Sequence, residues 1–180
     1  VGSNDNSFYQ LNASNVSITI ANFTTGDSLI TSEPVVANGF VYIGSRDNNI
    51  YQLNASNISI QYANFTANDD VKEGLAFANG FLYVSSNSFY QLNASNISQK
   101  IAQFDGGIGF DSGPAVVNGY VYIISRDPYL YQLNASNISQ QITNFSLDFQ
   151  SPGMTHSTPT IANGFVYVGS HDNRTYQLNA

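Results

Sequence analysis

The chain of 180 residues has a net charge of −7 and 42% hydrophobic residues, which include 12 Tyr and 12 Phe but no Trp and no Cys. The apolar content is high enough to form a core, which excludes a disordered chain, and the missing Cys excludes disulfides and thiolate chemistry. Scattered Lys and Arg argue against nucleic acid and anionic membranes as partners, and no apolar run reaches the roughly 20 residues of a spanning helix, so we expect no membrane insertion.

One stretch recurs along the whole chain. Its pattern is YQLNASN(V/I)S, and its copies lie at Tyr9–Ser17, Tyr51–Ser59, Tyr90–Ser98, Tyr131–Ser139 and, in a short form, Tyr176–Ala180. Self-similarity with a period of about 40 residues is the signature of a repeat architecture. We therefore expect each period to form one supersecondary unit that packs on its neighbours.

The period from Pro34 to Phe65 shows the first two strands of this unit. The first strand, PVVA, opens with Pro, which has no amide proton and suits the first residue of a strand. Asn38-Gly39 follows and predicts a type I′ hairpin turn, in which both residues need a positive φ. The second strand, FVYI, is an unbroken apolar run, which predicts burial on both faces. The Asn-Gly pair recurs at Asn79-Gly80, Asn118-Gly119 and Asn163-Gly164.

The third strand, Tyr51–Asn54, and the fourth, Ile58–Tyr62, alternate apolar and polar residues. Such alternation predicts one packed face and one wetter face on each strand. A four-stranded antiparallel unit of about 40 residues, with buried inner strands and a more polar outer strand, is a β-propeller blade. The predicted fold class is therefore all-β, a β-propeller of four-stranded antiparallel blades.

The stretch SEPVVANGFVYIGSRDNNIYQLNAS resembles the repeat of the PQQ-like, quinoprotein-type β-propellers, which runs roughly S-x-P-x-V-x-x-G-x-V-Y-V-G-S-x-D-G-x-L-Y-A-L-D-A. The resemblance divides the chain into a partial blade at 1–23 (third and fourth strands), blades at 34–65, 74–104 and 114–145, and a partial blade at 158–180 (first to third strands). It implies a fold and no particular chemistry, because this blade serves quinoprotein dehydrogenases, outer-membrane assembly scaffolds and cell-surface proteins.

Two departures from the PQQ-like pattern matter. The family's fourth strand usually ends in a Trp that docks between blades, and this chain has Phe23, Phe65, Phe104 and Phe145 there. The family's L-D-A motif is L-N-A in every copy. The resemblance therefore implies a cell-surface type of propeller without the quinone site.

The two ends of the chain are alike, since residues 1–13 (VGSNDNSFYQLNA) align with residues 168–180 (VGSHDNRTYQLNA). A closed ring of four blades would not need this overlap. We read the sequence as a window on a propeller of roughly seven or eight blades, or as a subunit whose open sheet ends pair with neighbours. The alternative is a complete small propeller with a spare strand. Because an unpaired strand edge is a template for another chain, self-association is an expected partner interaction.

The sequence offers few candidates for chemistry. A quinoprotein dehydrogenase needs a Trp platform, calcium ligands, an Asp base and commonly a vicinal disulfide. Because this chain has no Trp and no Cys, we expect no cofactor and no enzyme activity. Asp5, Asp47, Asp127 and Asp172 recur in the second turn, but each turn has too few oxygens for a calcium loop, and an Asx-turn is the expected role. His156 and His171 have no repeated acid or Ser partner for a triad and are expected to be exposed loop residues.

Asparagine sequons are the strongest signal for a modification. They begin at Asn12, Asn15, Asn22, Asn54, Asn57, Asn64, Asn93, Asn96, Asn134, Asn137, Asn144 and Asn173. In turns or on an outer strand, an N-linked glycan would project into solvent. The opposing interpretation is that Asn and Ser are ordinary turn formers and that a repeat multiplies one sequon. Because sequons three residues apart are not both expected to be filled, the best candidates are one of two sets: Asn15, Asn57, Asn96 and Asn137, or Asn22, Asn64 and Asn144.

The sequence thus predicts a non-catalytic, extracellular or cell-surface glycoprotein module with a structural or adhesive role, able to assemble into a larger surface structure or filament. One alternative is a propeller scaffold that binds protein partners, and another is a lectin-like propeller with a sugar pocket in each gap between blades. The inter-blade loops differ while the strands stay alike, which suits a binding face. Drift in unconstrained loops explains the same variation equally well.

Overall fold

The computed structural model describes residues 1–28, 33–72, 74–110, 112–127, 129–147, 157–170 and 172–180. His156 and His171 lie outside the described residues. The described part of the chain contains seventeen strands: β1 (Ser7–Asn12), β2 (Asn15–Thr24), β3 (Val35–Ala37), β4 (Phe40–Gly44), β5 (Asn49–Asn54), β6 (Asn57–Thr66), β7 (Leu75–Ala78), β8 (Phe81–Ser85), β9 (Phe89–Asn93), β10 (Lys100–Phe104), β11 (Ala115–Val117), β12 (Tyr120–Ile124), β13 (Tyr129–Asn134), β14 (Gln141–Ser146), β15 (Thr160–Ala162), β16 (Phe165–Gly169) and β17 (Thr175–Asn179).

The strands form five antiparallel sheets, which we number along the chain. The first has two strands, β1-β2, and the fifth has three, β15-β16-β17. The second, third and fourth sheets each have four strands in sequential order, β3 to β6, β7 to β10 and β11 to β14. The predicted all-β arrangement of four-stranded antiparallel blades is confirmed. No helix in the described residues is long and apolar enough to cross a membrane.

The hairpin between the first two strands has the predicted turn in the second to fifth sheets. At Asn38-Gly39 the φ angles are 52° and 79°, and the three equivalent pairs have the same signs. Asn tolerates the left-handed region and Gly adopts it without steric cost. The pairing of β3 with β4 is thereby fixed, with Val35 opposite Tyr42 and Ala37 opposite Phe40.

The second strand of each blade is buried on both faces, as predicted. In β4, Val41 and Ile43 pack in a cluster with Phe8 of the first sheet, whereas Tyr42 packs in a cluster with Leu92 of the third sheet. Equivalent clusters lie between the third and fourth and between the fourth and fifth sheets. The hydrophobic core is therefore divided into layers between successive sheets.

The prediction of a wetter face on the third strand is wrong in the second and third sheets. Gln52 and Gln91, the polar residues of that alternation, are both 0% exposed. A buried amide is tolerated only when its donor and acceptor are satisfied, and both side chains meet this condition by bonding the next sheet.

Phenylalanine replaces the family's Trp at the end of the fourth strand and docks between sheets, as the resemblance implies. The rings of Phe23 and Tyr51 meet edge to face at 5.1 Å between centroids, and Phe65 and Tyr90 do the same at 5.1 Å. Two further edge-to-face pairs have centroid distances of 5.2 Å (Phe104 and Tyr131) and 5.5 Å (Phe145 and Tyr176). Edge-to-face pairs at this separation are favourable, so each fourth strand is joined to the third strand of the following sheet.

Candidate glycosylation surface on the outer strands

The turn that contains the sequons is fixed by the sheet that precedes it. Gln52 Nε2 donates to Ala94 O at 3.2 Å, and Gln52 Oε1 accepts from Ile97 N at 3.2 Å. The same two contacts join Gln10 to Ala55 and Ile58, and Gln91 to Ala135 and Ile138. The glutamine of YQLNAS therefore positions the NASN(V/I)S turn of the next repeat.

A tyrosine of the second strand binds the same turn. Tyr42 OH donates to Ala94 O at 2.5 Å, and Tyr83 OH donates to Ala135 O at 2.6 Å. Burial raises the pKa of Tyr42, and it raises the pKa of Tyr83 to about 12. Both hydroxyls therefore remain donors at neutral pH, and the turn carbonyl has two partners from the preceding sheet.

In the second sheet the recurring Asp of the second turn accepts hydrogen bonds from its own turn, from the following strand and from the segment between β2 and β3. Asp47 Oδ1 accepts from Asn49 N at 3.0 Å, and Asp47 Oδ2 accepts from Tyr51 OH at 2.6 Å and from Gly26 N at 2.7 Å. Burial by itself would raise the pKa of Asp47, but these hydrogen bonds outweigh it and lower the pKa. This is the expected Asx-turn. No group of three His, Cys, Asp or Glu side chains with metal-binding geometry occurs among the described residues.

The first Asn of each NASN pair is a turn residue. Asn54 Oδ1 accepts from Ser56 N at 2.7 Å and from Asn57 N at 3.2 Å. In the third sheet Asn93 Nδ2 donates to Gln99 Oε1 at 2.9 Å, and in the fourth Asn134 Nδ2 donates to Gln140 Oε1 at 3.0 Å. A glycan replaces a hydrogen of this nitrogen, so attachment would disturb these bonds. Four sequons share this half-buried turn position: Asn12, Asn54, Asn93 and Asn134. The side-chain nitrogen is bonded in Asn54, Asn93 and Asn134, whereas that of Asn12 has no partner among the described residues.

The second Asn of each pair has its carbonyl oxygen occupied and its nitrogen without a partner among the described residues. Asn57 Oδ1 accepts from Ser59 N at 3.1 Å and from Ser59 Oγ at 2.8 Å. The other three copies repeat these bonds. Asn15 and Asn57 are exposed, whereas Asn96 and Asn137 are half-buried.

The sequons at the end of the fourth strand are the most accessible set. Asn22, Asn64 and Asn144 are exposed, and their side chains have no hydrogen-bond partner within the described part of the chain. They lie opposite Tyr9, Tyr51 and Tyr131 of the third strands. The third sheet lacks this sequon because it has Gln103 at the equivalent position. Gln103 Nε2 donates to Asp105 Oδ1 at 2.9 Å.

The last sequon lies elsewhere. Asn173 is exposed in the turn between β16 and β17, at φ 65°. The structure thus divides the predicted sequons into an unhindered group on the fourth strands, a group with a free nitrogen beside the turn, a turn-bound group, and Asn173 alone in another turn.

An exposed apolar position on the fourth strand was missed by the sequence analysis. Its members are exposed in every sheet that has a fourth strand: Ile20, Tyr62, Ile101 and Ile142. They lie at apolar positions of the fourth strand, where the alternation predicted a packed face, so that prediction is wrong at this position. The recurrence of a large apolar residue two places before the Asn of N-F-S/T was the available signal.

No family model matches the sequence, and neither does any curated protein. Solved structures are similar in fold. BamB from Moraxella catarrhalis aligns with a TM-score of 0.75 and 13% identity over 92% of this chain and 51% of that one. The computationally designed protein Ika8 aligns with a TM-score of 0.80 and 10% identity over 99% of this chain and 54% of that one. The computationally designed protein Ika4 aligns with a TM-score of 0.69 and 13% identity over 83% of this chain and 89% of that one.

At these identities the similarity shows the fold alone, and that fold is the predicted PQQ-like β-propeller. The chain spans about half the length of BamB and of Ika8.

Proposed function

We propose that the chain is a non-catalytic, extracellular or cell-surface module with a structural or adhesive role, whose outer strands bear N-linked glycans. The observation that carries the proposal concerns the sequons at the end of the fourth strands. Asn22, Asn64 and Asn144 are exposed, and no group among the described residues forms a hydrogen bond with their side-chain amides. A solvent-facing amide with a free nitrogen is the chemical requirement for a glycan acceptor.

The remaining chemistry of the repeat agrees with a structural role. Asp5, Asp47 and Asp172 each accept from a backbone amide of their turn and from a Tyr hydroxyl of the next strand. Asp127 accepts from Tyr131 OH alone, and its Oδ1 is buried without a partner among the described residues. The recurring Gln and Tyr residues bind the next sheet. The repeated polar groups are thus used to hold the blades together, which leaves solubility to the Asn, Ser and Thr side chains of the outer surface.

Intact-mass measurement tests the glycoprotein proposal. The chain is secreted from a host with N-glycosylation, and its mass is compared with the polypeptide mass of 19.5 kDa. Replacing Asn22, Asn64 and Asn144 by Gln should remove three glycans. The matched control replaces Asn54, Asn93 and Asn134, whose side-chain nitrogens are bonded, by Gln and should leave the glycan mass unchanged. A wild-type mass equal to the bare polypeptide contradicts the proposal.

A propeller scaffold that binds protein partners is the second candidate, and the exposed apolar position on the fourth strands favours it. Ile20, Tyr62, Ile101 and Ile142 recur at one place in successive sheets. Recurrent exposed apolar residues mark interaction surfaces more often than isolated ones. Under this function, changing these residues to Ser would abolish partner capture, whereas removing the sequons would not.

The lectin-like alternative predicts equivalent pockets in the gaps between blades. Hydrophobic clusters and the Gln and Tyr contacts occupy the gaps from the first to the fourth sheet. They give that alternative no support.

A further inference from the structure

The fourth strand is the outer edge of its sheet. β2, β6, β10 and β14 each stand at one end of a strand order and pair with a single neighbouring strand in the described part of the chain. An unpaired strand edge presents N–H and C=O groups that another chain can bind, and proteins blunt such edges with charged side chains, short strands, bulges or a covering group. The four outer edges of this chain differ in which of these devices they carry.

Three of the outer edges contain no charged residue. The sequences of β2, β6 and β14 are NVSITIANFT, NISIQYANFT and QITNFS. Each exposes a large apolar side chain to solvent: Ile20, Tyr62 and Ile142. Uncharged segments rich in β-branched and aromatic residues and free of Pro are the kind that pair edge to edge with another copy. These three edges therefore lack the usual protection by charge.

A β-bulge interrupts every outer strand at its exposed apolar residue. Gln52 pairs with Ala63 and Leu53 pairs with Gln61, so Tyr62 has no partner in the ladder. The other three sheets skip the equivalent residue in the same way. A bulge disrupts pairing locally, which leaves the segment after it as the regular part of each edge. In the uncharged strands this segment contains the N-F-S/T sequon: residues 21–24, 63–66 and 143–146.

The third sheet protects the same segment with charge. Gln103 stands in the place of the sequon Asn and links two charged side chains. Lys100 Nζ donates to Gln103 Oε1 at 2.8 Å, and Gln103 Nε2 donates to Asp105 Oδ1 at 2.9 Å. The hydrogen bonds from Gln103 lower the pKa of Asp105, so the carboxylate stays charged at neutral pH. Of the four described outer edges, the one without a sequon is thus the one with charged residues.

The backbone of the sequon Asn faces the open side of the strand. Ala67 N donates to Asn48 O at 2.8 Å, across to the third strand of the same sheet. Successive amides of an antiparallel strand point alternately towards the partner strand and away from it. The amide of Asn64, three residues before Ala67, therefore points to the open edge, and the first sheet has the same pattern at Asn22. A strand added to this edge would have to bond beside the side chain that carries the glycan.

We propose that N-linked glycans at Asn22, Asn64 and Asn144 cover the three uncharged edges and prevent them from pairing with a second copy of this chain. Lys100 and Asp105 have the same role in the third sheet. The inference rests on the proposed glycosylation and gives it a purpose. A glycan is bulky and hydrated, so it obstructs an approaching strand at the one regular segment of each edge.

The first test compares the secreted, glycosylated chain with the same 180-residue chain made in a host without N-glycosylation. Light scattering after size exclusion gives the mass of each form over a range of micromolar concentrations. We expect the glycosylated form to stay monomeric and the unglycosylated form to associate, with a mass that rises with concentration. A secreted chain with the bare polypeptide mass overturns the proposed function as well, whereas a glycosylated chain whose unglycosylated form is equally monomeric overturns this inference alone.

Two lysine variants of the unglycosylated chain locate the association. The edge variant imitates the charge of β10 and combines Asn22→Lys, Asn64→Lys and Asn144→Lys. The control adds the same three charges at exposed serines of the NAS turns, outside the edge: Ser14→Lys, Ser56→Lys and Ser136→Lys. We expect the edge variant to weaken association at least about 10-fold and the control to leave it unchanged. Association that survives the edge lysines, or that both variants weaken equally, overturns the inference.

Discussion

Replacing Gln52 by Met tests the contact that joins successive sheets. Gln52 is 0% exposed and makes three hydrogen bonds to the next turn, at 3.2 Å to Ala94 O, 3.3 Å to Ser95 O and 3.2 Å from Ile97 N. Ala94 O keeps its bond from Tyr42 OH. The buried Ile97 N–H, however, loses its side-chain acceptor.

Leaving a buried donor unsatisfied costs about 1–3 kcal/mol, whereas the apolar Met fills the space of the Gln side chain. We therefore expect Gln52→Met to lower the free energy of unfolding by about 2 kcal/mol. Urea denaturation followed by circular dichroism measures this as a lower midpoint at an unchanged slope.

The matched control is Gln177→Met. Gln177 occupies the same place in the repeat, but it is exposed and has no side-chain partner within the described part of the chain. A substitution there should change stability by less than about 0.5 kcal/mol. Equal losses in the two variants, or a loss below about 0.5 kcal/mol in Gln52→Met, would refute the view that the repeated Gln holds the sheets together.

Three further outcomes follow from the same contacts. Because hydrogen bonds lower the pKa of Asp47, its contribution to the free energy of unfolding is present above about pH 4 and is lost as the pH falls below that value. The loss of stability on acidification should therefore be smaller in Asp47→Asn than in the wild type. Burial raises the pKa of Tyr83 and Tyr131 to about 12, so stability should hold below about pH 10 and fall as the pH rises towards 12; absorbance at alkaline pH should show both phenols titrating late. Phe65→Ala removes a half-buried ring from an inter-sheet pair and should cost about 2 kcal/mol in urea titration, whereas Phe145→Ala, at a ring that is 37% exposed, should cost less.

The parts of the fold that depend on local chemistry could be predicted from the sequence. The Asn38-Gly39 turn follows from the positive φ that both residues adopt. The double burial of the second strand follows from its unbroken apolar run. The docking of Phe65 between sheets followed from the resemblance, since it stands where the family has Trp.

The role of Gln52 could not be predicted, because its partners lie in the following repeat and strand alternation alone assigns a Gln to a wet face. The sequons could not be ranked either. Asn54 and Asn64 satisfy the same three-residue pattern, yet one amide holds a turn and the other is free. That difference depends on the tertiary environment of each Asn.

Site-resolved glycopeptide mapping of the secreted chain measures which sequons carry N-linked glycans. Enzymatic deglycosylation in heavy-oxygen water marks each occupied Asn, and mass spectrometry of the peptides gives its occupancy. We expect high occupancy at Asn22, Asn64 and Asn144 and low occupancy at the turn-bound set: Asn12, Asn54, Asn93 and Asn134. Unlabelled peptides at all sequons, or higher occupancy in the turn-bound set, would contradict this expectation.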